Sequence, residues 1–115
     1  GFLDEAAYWR LLWSADAVMD LTLMDNCLVC GAYEALAVGK PVILSDNEAS
    51  KELFAGAAVF SGSTVAEIVA AVQMLAEAHA QMAASVNETA RRLRFDWASK
   101  ASVLLAQCRE LTDSN

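Results

Sequence analysis

A chain of 115 residues with 57% hydrophobic content is long enough to bury one sizeable core, so a single unit over residues 1–115 is expected. Its 15 acids outnumber 8 lysines and arginines for a net charge of −7, which leaves no cationic surface with which to neutralise the phosphates of a nucleic acid. No apolar run approaches the roughly 20 residues that span a bilayer, no charged-then-apolar leader opens the chain, and three cysteines outside any disulfide framework suit a reducing compartment, so a soluble cytoplasmic domain is expected.

From Asp4 to Ala15 the pattern is helical, with Tyr8, Leu11, Leu12 and Ala15 on one stripe predicted to be buried and Asp4 and Glu5 placed to favour the helix dipole. Trp9 and Trp13 lie on an adjoining stripe; ordinary packing beneath a neighbouring helix explains them, as would a contact with another segment or a second copy. Val18 to Thr22 is a short strand. Gly31 to Val38 is a short helix rich in alanine, stopped by Gly39 and Pro41, and Pro41 to Leu44 is a second apolar strand. This is a βαβ unit, in which the helix turns its amino end toward the carboxyl end of the preceding strand.

Asn47 to Phe54 leads into a short helix closed by Ala55-Gly56, and Ala57 to Phe60 is a third strand followed by a Ser61-Gly62-Ser63 turn. Thr64 and Glu67 have capping-box spacing ahead of a helix whose apolar face is Val65, Ile68, Val69, Val72 and Leu75. A kink near Ala78 to Ala80 separates it from a second helical segment carrying Met82, Val86, Ala90 and Leu93, and a last helix carries Trp97, Ala101, Leu104, Leu105, Cys108 and Leu111, ahead of a polar tail from Thr112 to Asn115. Alternating strands and helices predict an α/β fold, a partial doubly wound Rossmann-like parallel sheet of about three strands with helices on both faces. Such sheets normally have more strands. So short a sheet has open apolar edges that can pair with another copy, which predicts a homodimer or higher assembly.

The run from Glu34 to Asp46, EALAVGKPVILSD, resembles the E-A-x-A-x-G-x-P-V signature in the nucleotide-sugar-binding half of GT-B glycosyltransferases of the group 1, family 4 type. Gly1-Phe2-Leu3 with the later Ala15-Asp16 is similar to that family's lead-in, and Phe95-Asp96-Trp97 to the element that opens its last helix, so the likeness spans nearly the whole chain. It implies the GT-B carboxyl-terminal domain type, with residues 1–3 as the tail of a strand. It also implies a retaining transfer with no metal ion and no cofactor beyond the nucleotide-sugar donor itself, an acceptor-binding amino-terminal domain as partner, and a chain inactive without that half.

Within this frame Glu34, in the first turn of its helix, is the candidate acceptor of ribose hydrogen bonds, while the N–H groups of Cys30, Gly31 and Ala32 face the diphosphate. A carboxylate there also suits the helix dipole without any ligand. Lys51, after the second strand, is the candidate cation for a phosphate, or a solvated helix lysine. The family's first glutamate, near the transferred sugar, corresponds to Asn26 with Asp25 beside it, and these two are the candidate catalytic positions. The family's glycine-rich stretch becomes Cys27-Leu28-Val29-Cys30-Gly31, and Asn47-Glu48 replaces its later glycine pair. A non-catalytic nucleotide-binding or assembly module of the same fold, and a nucleotide-sugar epimerase of GT-B architecture, stay open beside the transferase. Cys27 and Cys30 have redox spacing, but a structural zinc site needs four ligands, and only His79 and Cys108 could add to the pair; two loop thiols and a boundary histidine are the plainer reading.

Overall fold

The computed structural model describes residues 1–114. Its elements are α1 (Glu5–Ser14), β1 (Val18–Asp20), α2 (Cys30–Ala37), β2 (Val42–Ser45), α3 (Glu48–Phe54), β3 (Ala58–Ser61) and α4 (Val65–Asp113). The three strands form one parallel sheet in the order β1-β2-β3, with Val18 opposite Val42 and Val42 opposite Ala58. Strand and helix ends fall within two residues of those predicted, up to the end of β3.

Because side chains alternate along a strand, β2 feeds two cores. Val42 and Leu44 enter one with Ala32, Ala35 and Leu36 of α2, Phe54 of α3, Ala57 and Val86. Ile43 enters the other, with Val59, Ala71 and Leu75. Val42 to Leu44 are buried throughout, as a strand in the middle of a covered parallel sheet must be. Gly39, at φ 71°, lets α2 turn sharply into β2. Its N–H and that of Lys40 cap the carbonyls of Leu36 and Ala35 at 3.1 and 2.9 Å, the paired bonds of a Schellman motif.

The largest departure from expectation is α4, a single unbroken helix of 49 residues in place of three segments. No glycine or proline occurs after Gly62, so nothing in the backbone chemistry interrupts the ladder. The polar tail also shortens: Thr112 and Asp113 belong to the helix, and Asn115 lies outside the described residues. Straight, α4 would measure about 74 Å at the standard rise, more than the molecule's greatest extent of 57 Å. It bends, because Ala71 and Leu75 pack on one face of the sheet and Val86 on the other. Between them it passes the amino ends of the strands, where His79 Nε2 meets the Asp16 carbonyl at 2.7 Å and the Ser85 hydroxyl donates to the Gly56 carbonyl.

Several predicted apolar stripes are only partly covered. On α1 Leu12 is buried, but Tyr8 and Leu11 are exposed and Trp13 is 61% exposed, so no neighbouring helix covers that indole. On the first turns of α4 the buried line is Ala71 and Leu75, while Val65, Val69 and Val72 face outward. Trp97, Leu104, Leu105 and Leu111 at the far end of α4 are exposed as well. A three-stranded sheet is too narrow to cover these faces. Residues 1–3, expected as a strand tail, form no strand and are exposed, and β1 is an edge of the sheet with Met19 48% exposed.

The predicted capping box is present. Thr64 Oγ1 accepts from the Glu67 N–H at 3.3 Å, and Glu67 Oε2 accepts from the Thr64 N–H at 2.9 Å. The Thr64 hydroxyl and N–H hold the Glu67 carboxyl below its ordinary pKa. A carboxyl with a depressed folded pKa stabilises above its unfolded pKa, and that contribution disappears as pH falls through the folded value. Thr64→Ala is therefore expected to cost about 1 kcal/mol near neutrality and less in acid, read as the gap between urea midpoints of the two proteins at each pH.

Candidate functional site

The carboxyl ends of the three parallel strands, the amino end of α2 and the β2–α3 turn lie at one rim of the sheet, the side where ligands bind in open parallel α/β sheets. At that rim Ser45 Oγ accepts from the Thr22 N–H at 2.7 Å and donates to the Thr22 carbonyl at 2.9 Å, locking the chain after β1 to the end of β2. Leu21, Thr22, Leu23, Ser45, Gly62, Ser63 and Ile68 line a cavity of about 130 Å³ there. That volume is below the roughly 300 Å³ at which ligand clefts begin. A cavity of about 510 Å³ lies at the opposite rim, lined by apolar groups with Asp16 and His79.

Glu34 is half-buried and stands one turn into α2, not in the first turn as expected, because the helix begins at Cys30 and no acid lies in its first turn. The dipole explanation for Glu34 weakens accordingly, since that effect fades beyond the first turn. Its Oε2 accepts a hydrogen bond from the Tyr8 hydroxyl of α1. This bond, with partial burial behind it, raises the Tyr8 pKa above the usual tyrosine value.

The carboxylate that serves the first turn of α2 is Asp20, at the end of β1. Its Oδ2 accepts from the Gly31 N–H at 3.0 Å. A Cβ on Gly31 would come within 2.4 Å of that oxygen, so glycine is required here by the close approach of the aspartate. The Ala32 N–H bonds to the Val29 carbonyl at 3.2 Å, and its side chain is fully buried. Two of the three amides expected to face a phosphate thus have partners within the chain. Cys30 is exposed at the start of the helix.

Asp25 and Asn26 are exposed in the β1–α2 loop, and Asn26 has φ 52°. Asparagine tolerates that left-handed conformation better than most residues do, so the side chain suits its place in the loop. Lys51 Nζ lies 2.6 Å from Asp46 and 3.7 Å from Glu48. The hydrogen bond and charge of Asp46 raise its pKa, so the lysine is a bound partner of the turn's own acids. Asn47 caps α3 by accepting from the Ser50 N–H at 2.8 Å, while its Nδ2 is buried with no hydrogen-bond partner. Such a group calls for a water or a ligand atom.

Cys27, Cys30 and Cys108 are free thiols, and among the described residues no three His, Cys, Asp or Glu side chains are grouped so as to hold a metal ion. No helix among the described residues is long and apolar enough to cross a membrane. Sequence reasoning did not single out Asp20, Tyr8 or the Asn47 amide. A carboxylate closing an otherwise apolar strand was a visible signal for Asp20, whereas Tyr8 was absorbed into a stripe predicted to be buried.

A parallel βαβαβ sheet with covering helices, its crossover helix opening at the carboxyl end of β1, defines a Rossmann-like α/β protein. Residues 1–106 match the model of the family described as glycosyl transferase-like, and the chain belongs to that family. Neither the curated proteins nor the solved structures compared with it gave a match.

Proposed function

We propose that this chain is the nucleotide-sugar-binding part of a GT-B-type glycosyltransferase, with Glu34 accepting hydrogen bonds from the ribose and the amino end of α2 near the diphosphate. The observation that carries the reading is Glu34 itself: a half-buried carboxylate on the helix that opens at the strand carboxyl ends, inside the motif that the family match covers. At the α2 amino end the Cys30 N–H is the amide left to face the departing diphosphate, since those of Gly31 and Ala32 are held by Asp20 and Val29, and the fixed carboxylate orients the nucleoside. The acceptor is brought by a separate amino-terminal domain, which completes a cleft larger than the 130 Å³ found here. Asp25 and Asn26 lie on the loop that meets the transferred sugar. Lys51 reaches a phosphate only by leaving Asp46.

Titration calorimetry of the full-length protein with UDP, GDP and ADP tests this. Saturable binding of one of them, with transfer from the matching nucleotide sugar, is expected; no saturable binding rejects it. Asp20 faces the incoming anion with a negative charge. Asp20→Asn keeps an acceptor for the Gly31 N–H and removes that charge, so diphosphate affinity is expected to rise on the order of threefold or more, with the gain shrinking in high salt.

A second reading, a nucleotide-binding module without catalysis, is favoured by the pairing of Lys51 and by Asn26 at the first-glutamate position. It predicts the same binding with no turnover.

A further inference from the structure

Tyr8 reaches across 26 residues of sequence to donate to Glu34 Oε2, bringing α1 to the side chain on which the proposed site depends. We propose that Tyr8 is a positioning residue for the ribose contact: its hydroxyl holds one oxygen of Glu34 and turns the other toward the ribose hydroxyls. The inference rests on the assignment of Glu34 to the ribose.

Three observations bear on it. First, α1 runs into the amino end of β1, so its opening turns, with Tyr8, lie toward the opposite rim, where β1 ends and α2 begins. Second, the Tyr8 ring stands edge-on to Trp9 at a centroid distance of 6.0 Å, and Trp9 is half-buried. The ring therefore has a support of its own, and the hydroxyl is the part that meets Glu34. Third, a phenol is protonated at neutral pH and a carboxylate oxygen can only accept, so the bond runs from the Tyr8 hydroxyl to Glu34.

A glutamate on a helix surface samples several rotamers, and a directional bond to one oxygen removes most of that freedom before a ligand arrives. An ionised carboxylate has about four lone-pair sites. Tyr8 takes one, and a ribose diol can use the others, so the phenol and the nucleoside bind together. Glu34 and Asp20 are the carboxylates that act on the Tyr8 hydroxyl.

The experiment compares the best-binding ribonucleoside diphosphate among UDP, GDP and ADP with its 2′-deoxy counterpart, on full-length wild type, Tyr8→Phe and Glu34→Ala. Phenylalanine keeps the ring and removes the hydroxyl. Tyr8→Phe is expected to weaken ribonucleotide binding about three- to tenfold and deoxynucleotide binding much less, so that the ribo-to-deoxy ratio falls while Tm holds. A uniform loss for both nucleotides, or tighter binding, overturns the positioning role. If Glu34→Ala collapses the ratio and Tyr8→Phe does not, this inference alone falls. If neither variant moves the ratio, the assignment of Glu34 to ribose falls and takes Tyr8 with it.

Discussion

Replacing Phe54 with alanine is expected to cost about 3–5 kcal/mol of stability, read by urea unfolding followed by circular dichroism. Phe54 has no exposed surface and joins α2, β2 and α4 in the larger core. Its ring meets Tyr33 edge-on, at a centroid distance of 5.1 Å and an interplanar angle of 80°. Truncation removes the transfer free energy of the ring and leaves a cavity walled by α2, β2 and the later part of α4. Those walls cannot collapse independently, because Val42 and Leu44 are fixed in register with β1 and β3. Domains of this kind have about 5–15 kcal/mol to lose, so the variant should sit near its unfolding threshold. Leu104→Ala is the matched control. Leu104 is 56% exposed on α4, and its removal should stay within about 0.5 kcal/mol. A Phe54→Ala protein as stable as this control would mean that the first core is not organised around the ring.

The second large effect is on binding. Glu34→Ala is expected to lower nucleoside diphosphate affinity about 10- to 100-fold, since hydrogen bonds to a charged group contribute about 1.5–3 kcal/mol and each 1.4 kcal/mol is about tenfold. Stability should change little, because the carboxylate sits on a helix surface and its bond to the Tyr8 hydroxyl joins two side chains with access to water. Glu34→Gln keeps a carbonyl acceptor without the charge and should fall between wild type and alanine. Unaltered affinity in the alanine variant would remove the carboxylate from the site.

Much of the architecture was legible because its causes are local. Thr64 and Glu67 close their capping box across three residues. Gly39 ends α2 because two consecutive amides must fold back on carbonyls a few residues earlier. Asp46 and Lys51 were both visible, but the ion pair that joins them across five residues was not read from the pattern. The kink near Ala78 to Ala80 failed for a different reason. The crossing from one face of the sheet to the other is real, but an alanine-rich stretch without glycine or proline makes it by bending rather than by breaking.

By itself, the order of apolar runs, caps and turn residues determined a parallel α/β protein, the extent of its strands and the placement of Glu34 on the helix behind β1, because each depends on neighbours within a few positions along the chain. The tertiary structure alone decided which groups meet at the rim. Asp20 takes the Gly31 amide, Tyr8 takes one oxygen of Glu34, and the exposed ends of α1 and α4 are left uncovered. These depend on distances between segments far apart in sequence, set by how a bent 49-residue helix and three short strands pack together, and no periodicity along the chain encodes them.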